Sequence, residues 1–405
     1  MRFLLLLLPL LLFACGPSRA PLERGDFDAA EWATIEGSVA ETLFWSDEEK
    51  AGRFSSFDRR YAGDEVPSSG SPLSLMEGAT EDFPAMDLLF EEHDLSGLLL
   101  LDGTRIVYER RGPELPENAR WTSYSVAKVL TGILAGAALA DGVIASIDDP
   151  VIRYVPELAD TAAYEGVTVR HLLEMTSGVS WNVDPSDKRG DGLLSWTPYG
   201  RADGTDNLLD LLRARTRIDP PGTRRVYKGI DSALLALVVE RATGQTLARY
   251  AADRIAVPAG LAAPLFWMRR ADAGNTGDCC VSMTLRDYGR LGLWVARGLP
   301  DGAGGSVWTD TYRGEAFSVR DPDASESGYG YHWDITPDWL FHRGLYGQGL
   351  FVSRRADVVL VHLAAWESGV DGAARKAVDA ALADYMRRRE AQPSTRKISP
   401  VGASD

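Results

Sequence analysis

Ser125-Val126-Ala127-Lys128 stands where an irregular segment of the chain passes into a long apolar helix. Apolar residues follow it with helical spacing, at Val129, Leu130, Ile133, Leu134, Ala137 and Leu139. The pattern predicts that Ser125 lies in the first helical turn and that Lys128 follows on the same side. A serine hydroxyl is a poor nucleophile until a base removes its proton. A lysine kept neutral by burial and by the positive end of a helix can be that base.

The spacing alone does not define a site. The same pattern recurs at Ser394-Thr395-Arg396-Lys397, in a polar tail with no helix behind it. On a surface helix, a serine and a lysine three residues apart usually act as a cap and a solvated charge. The catalytic interpretation of Ser125 therefore depends on the rest of the chain.

The order of predicted elements indicates an α/β chain of the α+β type. Two strands, 96–101 and 105–110, flank the hairpin signal Asp102-Gly103. Helices dominate to about residue 295, including 231–243 and 285–297, and strands return at 329–335, 349–353 and 358–362 before a last helix at 372–390. We expect an antiparallel sheet built from both chain ends and flanked by N- and C-terminal helices, with a mostly helical domain inserted and a site in the cleft between them.

These patterns give the following predicted domains. Residues 1–14 form a signal peptide, and 15–85 form a tether and N-terminal extension. Residues 86–390 form the main domain, with a sheet subdomain (86–120 and 300–390) and a helical subdomain (121–299). Residues 391–405 form a disordered tail.

The N-terminus has the features of an export signal. Met1-Arg2 precedes an apolar run from Phe3 to Phe13, which is too short to span a bilayer. Leu12-Phe13-Ala14-Cys15 resembles the lipobox of bacterial lipoproteins, which implies cleavage before Cys15, lipidation of its sulfur and a membrane anchor. Gly16 after the cysteine favours the outer membrane, with the protein facing the periplasm. Ordinary secretory cleavage near the same point is the alternative.

Composition argues against several function classes. The 405 residues carry a net charge of −15, and no stripe of basic residues indicates a nucleic-acid partner. Five scattered histidines and the adjacent Cys279 and Cys280 lack metal-ligand spacing, so we expect no metal and no cofactor. The two cysteines are interpreted as small buried residues. The sequence leaves the oligomeric state open.

Three segments then follow in a characteristic order: Ser125-Val-Ala-Lys128, Val226-Tyr-Lys-Gly229 and Leu345-Tyr-Gly-Gln-Gly349. The order resembles that of the SxxK, YxN or YxS, and KTG motifs in the serine β-lactamase and penicillin-recognising superfamily. His171-Leu-Leu-Glu-Met-Thr-Ser-Gly178 and Tyr346-Gly-Gln348 are similar to the 6-aminohexanoate-dimer hydrolase and esterase branch. The resemblance covers about residues 40–388 and implies a β-lactamase/transpeptidase-like fold.

The resemblance also implies roles for individual residues. Ser125 would be the acylated nucleophile, Lys128 its general base and Tyr227 a member of the proton relay. The backbone N–H groups of Ser125 and Gly349 would form the oxyanion hole. Tyr346 and Gln348 would bind substrate.

Two positions depart from the family pattern. Gly229 stands where the family has asparagine or serine, so no side chain there can bind the lysine; water or Asp231 is a possible substitute. Tyr346 stands where β-lactamases have a lysine that binds the substrate carboxylate. The expected function is therefore a serine hydrolase acting on a small ester or amide. A cell-wall DD-peptidase or weak β-lactamase is one alternative, and a catalytically lapsed binding lipoprotein is another.

Overall fold

The computed structural model describes residues 22–78, 83–182, 190–200, 207–321, 328–367 and 369–391. Within these residues, the strands are β1 Gly63–Val66, β2 Met76–Glu77, β3 Leu95–Asp102, β4 Arg105–Arg111, β5 Trp121–Thr122, β6 Leu265–Met268, β7 Val281–Met283, β8 Gly328–Tyr329, β9 Asp334–Ile335, β10 Trp339–Gly344, β11 Gln348–Ser353 and β12 Val358–Ala364. The α-helices are α1 Ala29–Ile35, α2 Asp47–Arg53, α3 Phe57–Arg60, α4 Pro84–Glu92, α5 Ala127–Ala140, α6 Val169–Leu173, α7 Asp191–Leu194, α8 Asn207–Arg213, α9 Gly229–Thr243, α10 Leu247–Ala251, α11 Leu285–Ala296, α12 Asp310–Ala316 and α13 Gly372–Ala391.

The main sheet has eight strands drawn from both parts of the chain, in the order β2-β4-β3-β12-β11-β10-β9-β8. Strand β3 pairs antiparallel with β12, so early and late segments meet at the centre of the sheet. The short β2 pairs parallel with β4, and the remaining neighbours are antiparallel. The predicted α+β fold with a sheet assembled from both chain ends is confirmed.

The late strands differ from their prediction in one respect that affects the site. The predicted strand 329–335 is a pair of two-residue strands, β8 and β9, and the sequence analysis missed β10 altogether. Strand β10 alternates half-buried and buried residues, the pattern of a strand with one covered face. Strand β9 contacts β10 only at Leu340 and Phe341. Beyond Phe341, β10 therefore has a free edge within the described part of the sheet.

Helices α5 and α9 form the centre of the helical region. Helix α5 is buried along almost its whole length, which its apolar sequence explains. Helix α9 ends at Gly244, whose φ of 67° terminates the helix in a left-handed conformation. These two helices were predicted from the sequence, with boundaries that differ by about one turn or less.

The N-terminal extension is an integral part of the packed structure. Strand β1 joins a second, antiparallel sheet in the order β1-β6-β7-β5. Phe54 and Phe57 are fully buried and contact the ring of Tyr124, beside the predicted nucleophile. A polar, turn-rich stretch thus supplies aromatic residues to the core behind the site.

Two other predictions concern the ends of the chain and the cysteines. The proposed leader with Cys15 and the tail after residue 391 lie outside the described residues. None of the helices in the described ranges is long and apolar enough to cross a membrane. Cys279 and Cys280 are fully buried, as expected, but the structure bonds their sulfur atoms to each other.

Candidate active site

Ser125 and Lys128 lie within hydrogen-bonding distance of each other. Ser125 is in a 3-10 turn, Tyr124–Val126, that leads directly into α5. The Lys128 Nζ atom donates to the Ser125 Oγ atom at 3.1 Å. Tyr124 has a φ of 42°, a strained conformation for a non-glycine residue that the turn imposes just before the nucleophile. The predicted nucleophile and base are therefore paired in the structure.

The amino group of Lys128 is held in a buried position. Its side chain is about as buried as a core residue, with 2% of its surface exposed. Besides Ser125, Nζ donates to the backbone carbonyl of Asp278 at 2.8 Å. The nucleophile and a backbone carbonyl are thus both within hydrogen-bonding distance of one buried amino group.

Tyr227 reaches the same site from the loop before α9. Its side chain remains 41% exposed, and its ring lies over Lys128, with 5.1 Å between Nζ and the ring centroid. The Tyr227 hydroxyl lies 3.3 Å from Nε2 of His342 on β10. The structure thus brings Tyr227 to the lysine through its ring and to a histidine through its hydroxyl.

His342 was not identified in the sequence analysis. It is buried, and its Nδ1 lies 3.6 Å from Oδ2 of Asp334 on the neighbouring strand. Burial lowers the pKa of His342 well below its usual value, so the ring is neutral at pH 7. With its proton on Nδ1, the ring accepts a hydrogen bond from Tyr227 at Nε2.

The free end of β10 borders the turn that carries Ser125. A Cβ atom at Gly344 would lie 2.5 Å from the carbonyl oxygen of Ser123, so this close approach requires glycine. Leu345 is the residue after Gly344. Within the described residues, neither its backbone N–H group nor that of Ser125 donates a hydrogen bond. Two unpaired donors therefore belong to the turn and to the strand end that meet here.

Gly349, the predicted second oxyanion donor, lies elsewhere. It is in β11, between β10 and β12, and is paired in register with Arg343 on one side and His362 on the other. A backbone N–H in a strand with neighbours on both sides points to one of those neighbours. The strand whose end approaches the Ser125 turn is β10, and Gly349 lies on the next strand, β11. The role of Gly349 as an oxyanion donor stays a prediction.

Tyr346 and Gln348, the predicted substrate-binding residues, are both buried. Tyr346 lies in the turn between β10 and β11, and Gln348 is the first residue of β11. Tyr346 has 5% of its surface exposed and packs edge-on against Tyr124. Gln348 donates from Nε2 to the carbonyl oxygen of Ala364 at 3.1 Å. Their roles in substrate binding stay predictions.

The space beside Gly229 is filled by a residue that the sequence analysis did not consider. Asp231, the suggested substitute, has other partners. Its Oδ1 accepts a hydrogen bond from the Ser177 hydroxyl at 2.7 Å, and its Oδ2 lies 3.9 Å from Lys228 Nζ in a buried ion pair. The carboxylate that borders Gly229 belongs to Asp278. No sequence motif marks Asp278, since it is placed there by the loop before β7.

A buried lysine hydrogen-bonded to a serine at the start of a helix, beside the end of a strand, is typical of a serine hydrolase with a lysine base. The sequence comparisons agree with this class. The family model described as Beta-lactamase matches residues 89–384, and the chain belongs to this family.

Individual relatives give more detail. The chain is 28% identical over 327 residues to the 6-aminohexanoate-dimer hydrolase of Paenarthrobacter ureafaciens, covering 73% of this chain and 79% of the relative. It is 31% identical over 162 residues to Esterase EstB of Burkholderia gladioli, covering 37% and 39%. Among solved structures, the putative 6-aminohexanoate-dimer hydrolase from Bacillus anthracis matches with a TM-score of 0.74 at 18% identity, covering 85% of this chain and 95% of that one. At that identity the structural match supports the fold alone.

Proposed function

We propose that this protein hydrolyses a small ester or amide through an acyl intermediate on Ser125. The observation that supports this most directly is the 3.1 Å contact between Lys128 Nζ and Ser125 Oγ at a buried position. In the first step Oγ attacks the substrate carbonyl carbon while Lys128 takes its proton. The geometry is within the range expected for a general base and its nucleophile.

The developing oxyanion would be bound by the N–H groups of Ser125 and Leu345. Both lack other acceptors in the described structure, and they belong to segments that meet at the site. Such a donor typically lowers the barrier by about 3 kcal/mol. The tetrahedral intermediate then collapses: the bond between the carbonyl carbon and the leaving group breaks, and the proton held by Lys128 passes to that group with the help of Tyr227, whose hydroxyl contacts His342. Water next attacks the acyl carbon and gives its proton to Lys128. The bond between the acyl carbon and Ser125 Oγ breaks, the acid leaves, and Lys128 returns the proton to Oγ.

The charges beside the site favour neutral substrates. His342 on β10 is neutral, and the cation next to it, Arg343, points to the opposite face and pairs with Asp379 at 3.3 Å. The strand therefore presents no cation to a substrate carboxylate of the kind β-lactams carry. We expect ester and amide hydrolysis to exceed β-lactam hydrolysis, which can be compared directly with nitrocefin.

The proposal is tested by the hydrolysis of p-nitrophenyl acetate and butyrate. We expect Ser125→Ala and Lys128→Met each to lower kcat by about 10³-fold or more, because nucleophile and base act as a unit. Ser394→Ala is the matched control, since that serine has the same spacing to a lysine but the sequence after it lacks the apolar helical pattern that follows Lys128. Equal rates for wild type and Ser125→Ala would refute the enzymatic function and leave a binding protein.

We also propose that the protein is exported and anchored through Cys15, as the N-terminal sequence predicts. In bacterial cells, the wild type should incorporate a fatty-acid label and appear in the membrane fraction, whereas Cys15→Ser should not. Equal labelling of the two proteins would contradict the anchor.

A further inference from the structure

We infer that Asp278 takes the place of the side chain missing at residue 229 and positions Lys128 against Ser125. The inference rests on the proposed function and concerns the same site. It makes Asp278 a positioning residue, acting through the lysine.

Gly229 and Asp278 compete for one volume. Gly229 is the first residue of α9, and a Cβ atom built on it would lie 2.4 Å from Asp278 Oδ2 and 3.3 Å from Asp278 Cγ. Real atoms do not approach so closely, so a side chain at 229 and the carboxylate of Asp278 exclude each other. The absence of a side chain at 229 is therefore matched by a polar group that arrives from the loop before β7.

The carboxylate is firmly anchored. Asp278 is 3% exposed, its Oδ1 accepts from the Tyr199 hydroxyl at 2.7 Å, and its Oδ2 accepts from Trp196 Nε1 at 3.3 Å. A buried carboxylate requires such partners. The two aromatic residues thus fix both oxygen atoms of a group that lies next to the helix start.

The same residue binds the catalytic base. The backbone carbonyl of Asp278 accepts from Lys128 Nζ at 2.8 Å, while Nζ also contacts Ser125 Oγ at 3.1 Å. The hydrogen bonds to the Asp278 carboxylate restrain the whole residue, including its backbone carbonyl group. Through that carbonyl group they also restrain the amino group of Lys128. Residue 278 thereby supplies the contact to the lysine that Gly229 cannot supply.

Exchange of side chains between the two positions tests this inference. The variants are Asp278→Ala, Gly229→Asn and the double variant Gly229→Asn/Asp278→Ala. We expect each single variant to lower kcat for p-nitrophenyl butyrate by about 10- to 100-fold, with KM changed less than about threefold, because a misplaced base affects the reaction more than binding. The double variant should recover at least about tenfold over the weaker single variant, because it restores one side chain to the shared volume.

The rate of Ser125 labelling by a fluorophosphonate should follow kcat, since it reports the reactivity of the nucleophile without a natural substrate. A double variant whose loss equals the product of the single losses would overturn the inference. So would an Asp278→Ala variant with wild-type kcat. Loss of labelling in the wild type itself would instead refute the proposed function.

Tyr199→Phe provides a second test that does not depend on whether Asp278→Ala folds. It removes one anchor of the carboxylate and should lower kcat by about three- to tenfold at unchanged KM. The matched control is Tyr385→Phe, because the Tyr385 hydroxyl also donates to a carboxylate, that of Asp102, at 3.0 Å on β3 of the main sheet. Equal kcat values for these two variants would contradict the positioning role.

Discussion

Replacing His342 with phenylalanine keeps a ring in the buried position on β10 but removes the nitrogen that accepts from Tyr227. The structure shows one hydrogen bond at stake, with 3.3 Å between Nε2 and the tyrosine hydroxyl. A bond between neutral groups contributes about 0.5–1.5 kcal/mol, which corresponds to a fall in kcat of about two- to thirteenfold. The measurement is steady-state hydrolysis of p-nitrophenyl butyrate, with a fluorophosphonate labelling rate beside it.

A second buried histidine, His362 on β12, provides the control for the expected fall in kcat. His362 on β12 is also buried and neutral, but its Nδ1 lies 2.9 Å from the carbonyl oxygen of Gly347, and its ring stacks on Trp366. His362→Gln should therefore lower the melting temperature and leave kcat within about twofold. An unchanged kcat for His342→Phe, with Tyr227→Phe impaired, would show that Tyr227 works without this histidine.

Two further predictions concern stability. Burial lowers the pKa of His362 to about 3, so between about pH 6.5 and pH 3 only the unfolded chain takes up this proton. In that range the free energy of unfolding falls by about 1.4 kcal/mol per pH unit on account of this residue. Urea titrations at pH 7 and pH 5 should therefore show a smaller loss of stability in acid for His362→Gln than for the wild type. Gly136→Ala places a Cβ 2.4 Å from the Tyr312 ring and should cost about 1–3 kcal/mol in the same titration at pH 7. Gly314→Ala, in an open helical position, should be neutral or stabilising by up to about 1 kcal/mol, and equal losses for the two glycines would contradict the packing argument.

The sequence predicted most of the fold because its strongest patterns are local. The helix behind Lys128 and the hairpin at Asp102-Gly103 depend on periodicity and turn chemistry, and both formed nearly as predicted. Strand β10 was missed because His342 and Arg343 interrupt the apolar pattern that identifies a buried strand in a sequence. That one omission also hid His342 and Leu345, the residue that we propose as the second oxyanion donor.

The site itself could be predicted only where its residues are close in sequence. Ser125 and Lys128 are one helical turn apart, so local geometry places them together. Asp278 reaches Lys128 across 150 positions of the chain, and its place beside Gly229 is set by the packing of α9 against the loop before β7. No pattern within either segment contains that information.

The central claim is that Ser125 becomes covalently acylated because Lys128 activates it. The most direct measurement is mass spectrometry of the folded protein after reaction with a fluorophosphonate, with peptide mapping of the modified residue. The account predicts a single stoichiometric adduct on Ser125 in the wild type, and at least about 100-fold slower labelling in Lys128→Met. An unlabelled Ser125, with a control serine hydrolase labelled in the same mixture, would contradict it.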